Sequence, residues 1–297
     1  MSFEKIVECV PNFSEGRNGK VIEKIADAFR VDGVKLLDYS ADVDHNRSVF
    51  TVAGEPTELA EAVINAVGVA KDNIDLTRQS GEHPRIGAAD VVPFVPIKNV
   101  SVEETVELSR FVGQQIATRH GVPVYLYEKS ATAANRVNLA DIRKGQFEGL
   151  SEKMKAEEWK PDFGNPEPHP TAGATVVGCR PFLVAFNVNL DTPDVEIATK
   201  IARRVRFING GLRFVKALGV KLNSRNVAQV TMNLTDYTKT PVYAAFETVR
   251  MEARRYGVNV IGTEIIGLIP QQALLDCVEY YLQIENFSSD KVLENNL

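Results

Sequence analysis

The sequence predicts an α/β protein of the α+β class, in two subdomains that each begin β-α-β-β-α-β. Three observations predict it. Apolar residues switch between period two and period 3.6 along the chain. The same order of elements runs twice, once from Ile6 and again from Leu183. A stretch holding Pro161, Pro166, Pro168 and Pro170 lies between the two runs.

In the first run, Ile6 to Val10 is a short apolar segment that stops at Pro11, which predicts a strand. Val21, Ile25 and Phe29 recur at helical spacing, with Ile22 and Ala26 beside them. Val34 to Tyr39 reads as a strand, Asp42 to His45 as a polar turn, and Asn46 to Ala53 as the returning strand of a hairpin. Leu59, Val63 and Val67 mark the next helix. Ala89 to Val95 reads as a strand, and Pro93 predicts an edge or irregular one. Ser101 and Glu104 form a capping box, opening a helix through Phe111, Val112 and Ile116. Val124 to Tyr127 reads as a strand.

The second run is cleaner. Leu183 to Leu190 is a strand, Thr192 is a helix cap, and Pro193 suits the first turn. Ile197, Ile201, Val205 and Ile208 form the apolar stripe of that helix. Val215 to Leu222 and Val227 to Leu234 read as a hairpin around Asn223-Ser224-Arg225. Thr240-Pro241 repeats the cap-then-proline start, and Phe246, Val249, Ala253 and Tyr256 make the next stripe. Val258 to Ile265 is a final strand and Pro270 to Tyr281 a closing helix. Both runs therefore have the split β-α-β unit of ferredoxin-like folds. Composition places the boundary between them in residues 159–172, because prolines favour extended chain.

That topology puts both helices on one face of each sheet. Along the strand from Leu183, Asn187 and Asn189 point away from Val184, Phe186, Val188 and Leu190. Gln229, Thr231 and Asn233 do the same in the hairpin. The face away from the helices is rich in amides and hydroxyls, which suits either a wet sheet face or the polar wall of a ligand cleft between the subdomains.

Composition narrows the function classes. The chain has 297 residues, 44% hydrophobic and 25% charged, which is ordinary for a globular protein. Lys and Arg number 34 against 39 Asp and Glu, a formal net charge of -5, so no nucleic-acid or membrane partner is expected. Three separated cysteines, Cys9, Cys179 and Cys277, offer neither a disulfide framework nor a paired-cysteine zinc site. The N-terminus shows no signal-peptide pattern, and no apolar run reaches the roughly 18 residues of a membrane helix. A cytoplasmic protein is expected.

Four histidines are candidates for proton transfer, because their unperturbed pKa suits it. His120 precedes Gly121 at a helix end and is expected only to complement that C-terminus. His83 lies in the polar loop Gly81-Glu82-His83-Pro84-Arg85-Ile86-Gly87, where Glu82 and Arg85 can tune its proton affinity. His45 follows Asp42-Val43-Asp44, ligand types whose spacing matches no metal motif, so no metal is expected. His169 lies in the proline-rich stretch. The glycine-rich phosphate cradles and the G-x-S-x-G nucleophile elbow are missing. Arg203, Arg204, Arg206, Arg254 and Arg255 read as solvated helix faces or partners for an anion. Trp159 reads as an anchor for the proline-rich stretch.

Several blocks resemble one family. They are Val7-Glu8-Cys9-Val10-Pro11-Asn12-Phe13-Ser14-Glu15-Gly16, Asn46-Arg47-Ser48-Val49, Gly81-Glu82-His83-Pro84-Arg85-Ile86-Gly87-Ala88 and Pro123-Val124-Tyr125-Leu126-Tyr127. Trp159-Lys160-Pro161-Asp162-Phe163-Gly164 and Leu183-Val184-Ala185-Phe186-Asn187-Val188-Asn189-Leu190 extend the match over nearly the whole chain. Together they resemble the formiminotransferase domain of glutamate formimidoyltransferases, in the stand-alone bacterial form. That resemblance implies subdomains over residues 1–180 and 181–297, a homodimer, and no cyclodeaminase activity. It implies transfer of the formimino group from N-formimino-L-glutamate to nitrogen 5 of tetrahydrofolate, the co-substrate, in histidine degradation and one-carbon metabolism.

The family's catalytic histidine falls on His83, which would act as general base and then general acid. Its folate segment falls on Gly164, Asn165, Pro166, Glu167, Pro168, His169, Pro170, Thr171, Ala172 and Gly173. Ser40 stands where animal members carry an acid, and Asp42, Asp44 and His45 lie close enough in sequence to substitute. With Arg47, Asn187 and Asn189 these are the candidate substrate-binding residues. His169 replaces an apolar residue of the animal members. Formyl transfer between N-formyl-L-glutamate and 5-formyltetrahydrofolate, a folate-binding protein without turnover, and a hydrolase using water as acceptor are the alternatives.

Overall fold

The computed structural model describes residues 4–43, 45–81, 83–222 and 225–296. The chain divides into two compact units, Met1–Arg180 and Pro181–Leu297.

The first unit opens with β1 (Ile6–Cys9) and β2 (Asn12–Phe13), two pieces of one strand line interrupted at Val10-Pro11. Next come α1 (Gly19–Phe29), β3 (Val34–Asp42), β4 (Arg47–Gly54), α2 (Pro56–Asn73) and β5 (Ala89–Lys98). The order across the sheet is β3, β4, the β1/β2 line, then β5, all antiparallel neighbours, which is the split-unit arrangement. The unit continues with α3 (Val102–His120), β6 (Val124–Leu126), α4 (Leu139–Arg143), α5 (Gln146–Lys153) and β7 (Thr175–Cys179). Strand β7 pairs in parallel with β5 and with β6, so the sheet is mixed.

Three expectations are corrected here. Pro93 does not make β5 an edge. β5 is central, and Pro93 falls between the positions that pair with Cys9 and with Asn12, opposite the break in the β1/β2 line. Its missing N–H costs nothing there, while its carbonyl accepts from Val10 N at 3.1 Å. The proline-rich stretch is not the boundary. Phe163 O accepts from Val124 N, Thr171 O from Leu76 N and Ala172 O from Ala88 N, which sews it into the first unit. His120 is not occupied with its own helix end: its Nε2 contacts the carbonyl oxygen of Ile64, 2.9 Å away on α2.

Helices α1, α2 and α3 cover one face of this sheet. Ile25 and Phe29, Leu59 and Val63, and Val112 and Ile116 meet Phe50, Val52, Val92 and Phe94 there, all fully buried. Each such side chain stabilises by about 1.5–3 kcal/mol through burial. The capping box expected at Ser101 and Glu104 starts α3. On the opposite face, Ile142, Leu150 and Met154 of α4, α5 and the turn after α5 cover Val91, Tyr125 and Val176.

The second unit runs β8 (Val184–Leu190), α6 (Val195–Val205), β9 (Val215–Leu222), β10 (Val227–Leu234), α7 (Val242–Arg254), β11 (Val260–Ile266) and α8 (Gln271–Leu282). Its sheet order, β11-β8-β10-β9, is fully antiparallel. Val188, Leu190 and Val230 pack on Ile201 and Val249 of the two covering helices. The cap of α6 is Asp194 rather than Thr192, since Asp194 Oδ1 accepts from Glu196 N at 2.8 Å. Ile208 is not part of the stripe: α6 ends at Val205 and Ile208 is 84% exposed in the following turn. Thr240 is likewise no cap; its hydroxyl donates to Arg213 O, and the N-cap of α7 is Pro241. Asn223 and Ser224 lie outside the described residues. Among the described residues no helix is long and apolar enough to cross a membrane.

Candidate active site

Three loops of the first unit meet at Asn46. This residue ends the turn between β3 and β4 in a left-handed conformation (φ 49°) and is buried. Its Oδ1 accepts from Gly16 N at 2.9 Å, its Nδ2 donates to Ser80 O at 3.0 Å, and its carbonyl accepts from Gln79. Gly81 rests on the His45 carbonyl so closely that a Cβ would fall 2.3 Å from that oxygen. Three of the blocks singled out in the sequence are thus tied together at one point, and the tie places His83 beside Arg47.

Arg47 Nη1 and His83 Nε2 are 2.5 Å apart. A guanidinium only donates, so Nε2 accepts and the imidazole is neutral with its proton on Nδ1. Burial, then the Arg47 guanidinium, then Arg143 and His45, push the His83 imidazole down to about 2. Arg47 itself is pulled below the usual range by burial and by Arg143, against Asp90 and Asp42. Among the described residues, the surroundings of His83 therefore carry an excess of positive charge, an environment that favours an anion.

Arg143 and Asp90 were not anticipated from the sequence. Arg143, the last residue of α4, donates from Nε at 2.9 Å and from Nη2 to Asp90 Oδ2, while Asp90 Oδ1 accepts from Ile86 N at 2.8 Å. The only sequence signal was a carboxylate at the start of an apolar strand. Lys153 fixes the end of α4: its Nζ donates to the carbonyls of Asp141, Ile142 and Lys144 and lies 3.8 Å from the Trp159 ring centre. Trp159 is thus an anchor, and its carbonyl accepts from Tyr125 OH.

Arg85 does not tune His83. It is buried and turns away, donating to both carboxylate oxygens of Glu148 (2.8 and 3.1 Å) and to Gln79 O, which staples the loop to α5. Glu82 and Asp44 lie outside the described residues. Ser40 and Asp42 share the sheet face of Arg47, since Asp42 pairs with Arg47 and Ser40 with Val49 in the β3–β4 register. Asp42 Oδ1 is engaged by His45, through its N at 2.7 Å and its Nδ1 at 3.0 Å.

The segment from Gly164 to Gly173 runs against the His83 loop. Ala174 N donates to Ile86 O and Ala88 N to Ala172 O, both at 2.9 Å. Gly173 (φ 67°) sits where a Cβ would lie 2.0 Å from Ile86 O. Gly164 (φ 89°) packs on Pro123. Asn165, Pro166 and Glu167 are exposed, as is Pro170, and Pro168 is half-buried. His169 Nδ1 accepts from Ala172 N at 3.1 Å and Thr171 N at 3.4 Å, which leaves its proton on Nε2.

Asn187 and Asn189 belong to the second unit, where both are buried on the sheet face away from α6 and α7. Asn189 Nδ2 donates to Glu264 Oε1, and Gln229 Nε2 donates to Asn189 Oδ1 and to Glu264 Oε2. Arg225 closes this network on Glu264 at 3.1 Å. Of the helix arginines, Arg255 pairs with Glu252 and Arg206 donates to Asn209; Arg203 and Arg204 are exposed.

Fold and site define a two-unit α/β protein with a neutral histidine held by an arginine, an arrangement suited to moving a proton next to a bound anion. Comparison with known proteins makes the class definite. The family model described as the formiminotransferase domain, N-terminal subdomain, matches residues 6–180, and the formiminotransferase domain model matches residues 185–296. A glutamate formimidoyltransferase from Streptococcus pyogenes serotype M1 is 55% identical over 99% of both chains. One from Thermoplasma acidophilum is 47% identical over 98% of this chain and 97% of its own. A formimidoyltransferase-cyclodeaminase from Gallus gallus is 43% identical over 95% of this chain, which spans 53% of that relative. The chain belongs to the formiminotransferase family and is a transferase.

Proposed function

We propose that the protein transfers the formimino group of N-formimino-L-glutamate to nitrogen 5 of tetrahydrofolate, giving L-glutamate and 5-formiminotetrahydrofolate. The observation that carries this reading is the contact of His83 Nε2 with Arg47, beside a second arginine, Arg143. The donor is a dicarboxylate, and an arginine next to the proton-transfer nitrogen gives its carboxylate a place near the reacting carbon. Nitrogen 5 attacks the formimino carbon and passes its proton to His83. The bond from that carbon to the glutamate nitrogen then breaks, and His83 returns the proton to the departing amine. No covalent enzyme intermediate is required, and holding both substrates together supplies much of the rate.

The segment from Gly164 to Gly173 is proposed as the folate wall, because it pairs backbone to backbone with the His83 loop. The family relationship supports the same acceptor, and a homodimer working in histidine degradation. Glutamate release from N-formimino-L-glutamate tests the reading. It is expected only when tetrahydrofolate is present. Release without folate would make water the acceptor, and silence with both formimino and formyl donors would leave a folate-binding protein.

A further inference from the structure

We propose that Arg47 is a carboxylate-operated cover on His83: its guanidinium occupies the imidazole nitrogen, and the α-carboxylate of the donor draws it off, so the base is exposed only once the donor is bound. This rests on the reading of His83 as the proton-transfer residue.

The two arginines near His83 are not equivalent. Arg143 is committed, with two of its nitrogens on the buried Asp90 carboxylate. Arg47 is half-buried and, among the described residues, has no carboxylate within ion-pair distance; its acceptor is the neutral imidazole. A carboxylate offers the guanidinium an opposite charge and two acceptor oxygens for a bidentate pair, where the imidazole offers one neutral nitrogen, so an arriving carboxylate outcompetes the imidazole. The Arg47 backbone is fixed, paired with Asp42 and wedged against Gly16, where a Cβ would fall 2.6 Å from Arg47 N. Only the side chain is free to turn.

The chemistry of the donor fits the spacing. Its α-carboxylate and its reacting nitrogen are bonded to the same carbon. A carboxylate seated on Arg47 therefore keeps the formimino group beside Nε2, which lies 2.5 Å from Nη1. The γ-carboxylate has no such link to the reacting atoms. Among the described residues, the charged and titratable groups around His83 are Arg47 from β4, Arg143 from α4 and His45 from the β3–β4 turn, with Asp90 of β5 countering Arg143 and Asp42 of β3 acting on Arg47. Turning Arg47 onto an anion removes the cation in direct contact and adds a negative charge nearby. Both changes favour protonation of His83, and a charge change at this range moves a titration midpoint by about one to three pH units. A donor without its α-carboxylate should consequently lose turnover more than affinity.

The experiment is an NMR titration of the His83 ring, assigned by difference against His83→Gln. In the free enzyme the midpoint is expected below about pH 5, whereas an ordinary histidine would titrate at about 6.5. Saturating N-formyl-L-glutamate, whose reacting nitrogen is uncharged, should move the midpoint up by about one to three pH units, and 4-formamidobutyrate, which lacks the α-carboxylate, should not. Arg47→Gln should show the raised midpoint without any ligand, with Arg47→Lys and circular dichroism as checks on folding. A free wild-type midpoint near 6.5, no response to N-formyl-L-glutamate, or an Arg47→Gln midpoint equal to wild type would each overturn the proposal. Failure of the underlying reading is a separate result, since His83→Gln would then retain folate-dependent glutamate release.

Discussion

Arg143 and Asp90 form a buried ion pair in which two guanidinium nitrogens share one carboxylate oxygen and the other oxygen holds the backbone of Ile86. The pair joins α4, β5 and the His83 loop. It also keeps a positive charge next to His83 without leaving that charge free to move.

Asp90→Ala strands the Arg143 charge and the Ile86 N–H. Breaking a buried pair from one side costs about 3–5 kcal/mol. The denaturant midpoint should fall accordingly, and turnover should fall with it as the loop loosens. The double variant Asp90→Leu, Arg143→Met should recover most of the stability but not the turnover. Equal stability in wild type and Asp90→Ala would show the pair to be energetically idle.

Gly173→Ala should disturb the proposed folate wall. The residue is left-handed, and its Cβ would meet Ile86 O at 2.0 Å. Strain of this kind costs about 1–3 kcal/mol before any shift of the loop. The KM for tetrahydrofolate should rise, and thermal stability should drop. Gly149→Ala is the comparison: it lies in α5 with open space around its Cβ, so it should be neutral or stabilise by up to about 1 kcal/mol.

Glu8 gives a pH signature. Burial pushes its carboxyl up to about 7, with Arg180 opposing. A carboxyl raised above its unfolded value binds its proton more tightly in the folded state. The folded form is therefore favoured below about pH 4.5, and that contribution is lost as pH rises towards about 7. Glu8→Gln removes the dependence. At pH 8 the variant should be more stable than wild type by up to about 3 kcal/mol, and the two should converge near pH 4.5. Parallel denaturation curves across that range would contradict the burial of a free carboxyl.

Much of the fold was legible in the sequence because it rests on local periodicity. The hairpin of β9 and β10 was read to the residue, since alternating side chains settle a register of two. The Ser101–Glu104 box was legible because both partners lie within one turn. What was missed rests on distant partners. The proline-rich stretch looks like a linker until Phe163 and Thr171 find Val124 and Leu76. Pro93 looks like an edge marker until the break at Val10-Pro11 is placed opposite it. Strand β7 is a five-residue run, too short to stand out beside that stretch. In the site, His83 could be singled out from its loop, but the neighbour that matters is Arg47, 36 positions away, and not the adjacent Arg85. Arg143 and Asp90 were invisible, being 53 positions apart and unremarkable alone.

The central claim is that His83 carries the proton between nitrogen 5 and the departing glutamate. Single-turnover rates with both substrates pre-bound, for wild type and His83→Gln, test it most directly. The account predicts a loss of about 10²–10⁴-fold in the transfer step with donor affinity little changed. A transfer rate within a few-fold of wild type would contradict it and move the proton to another group.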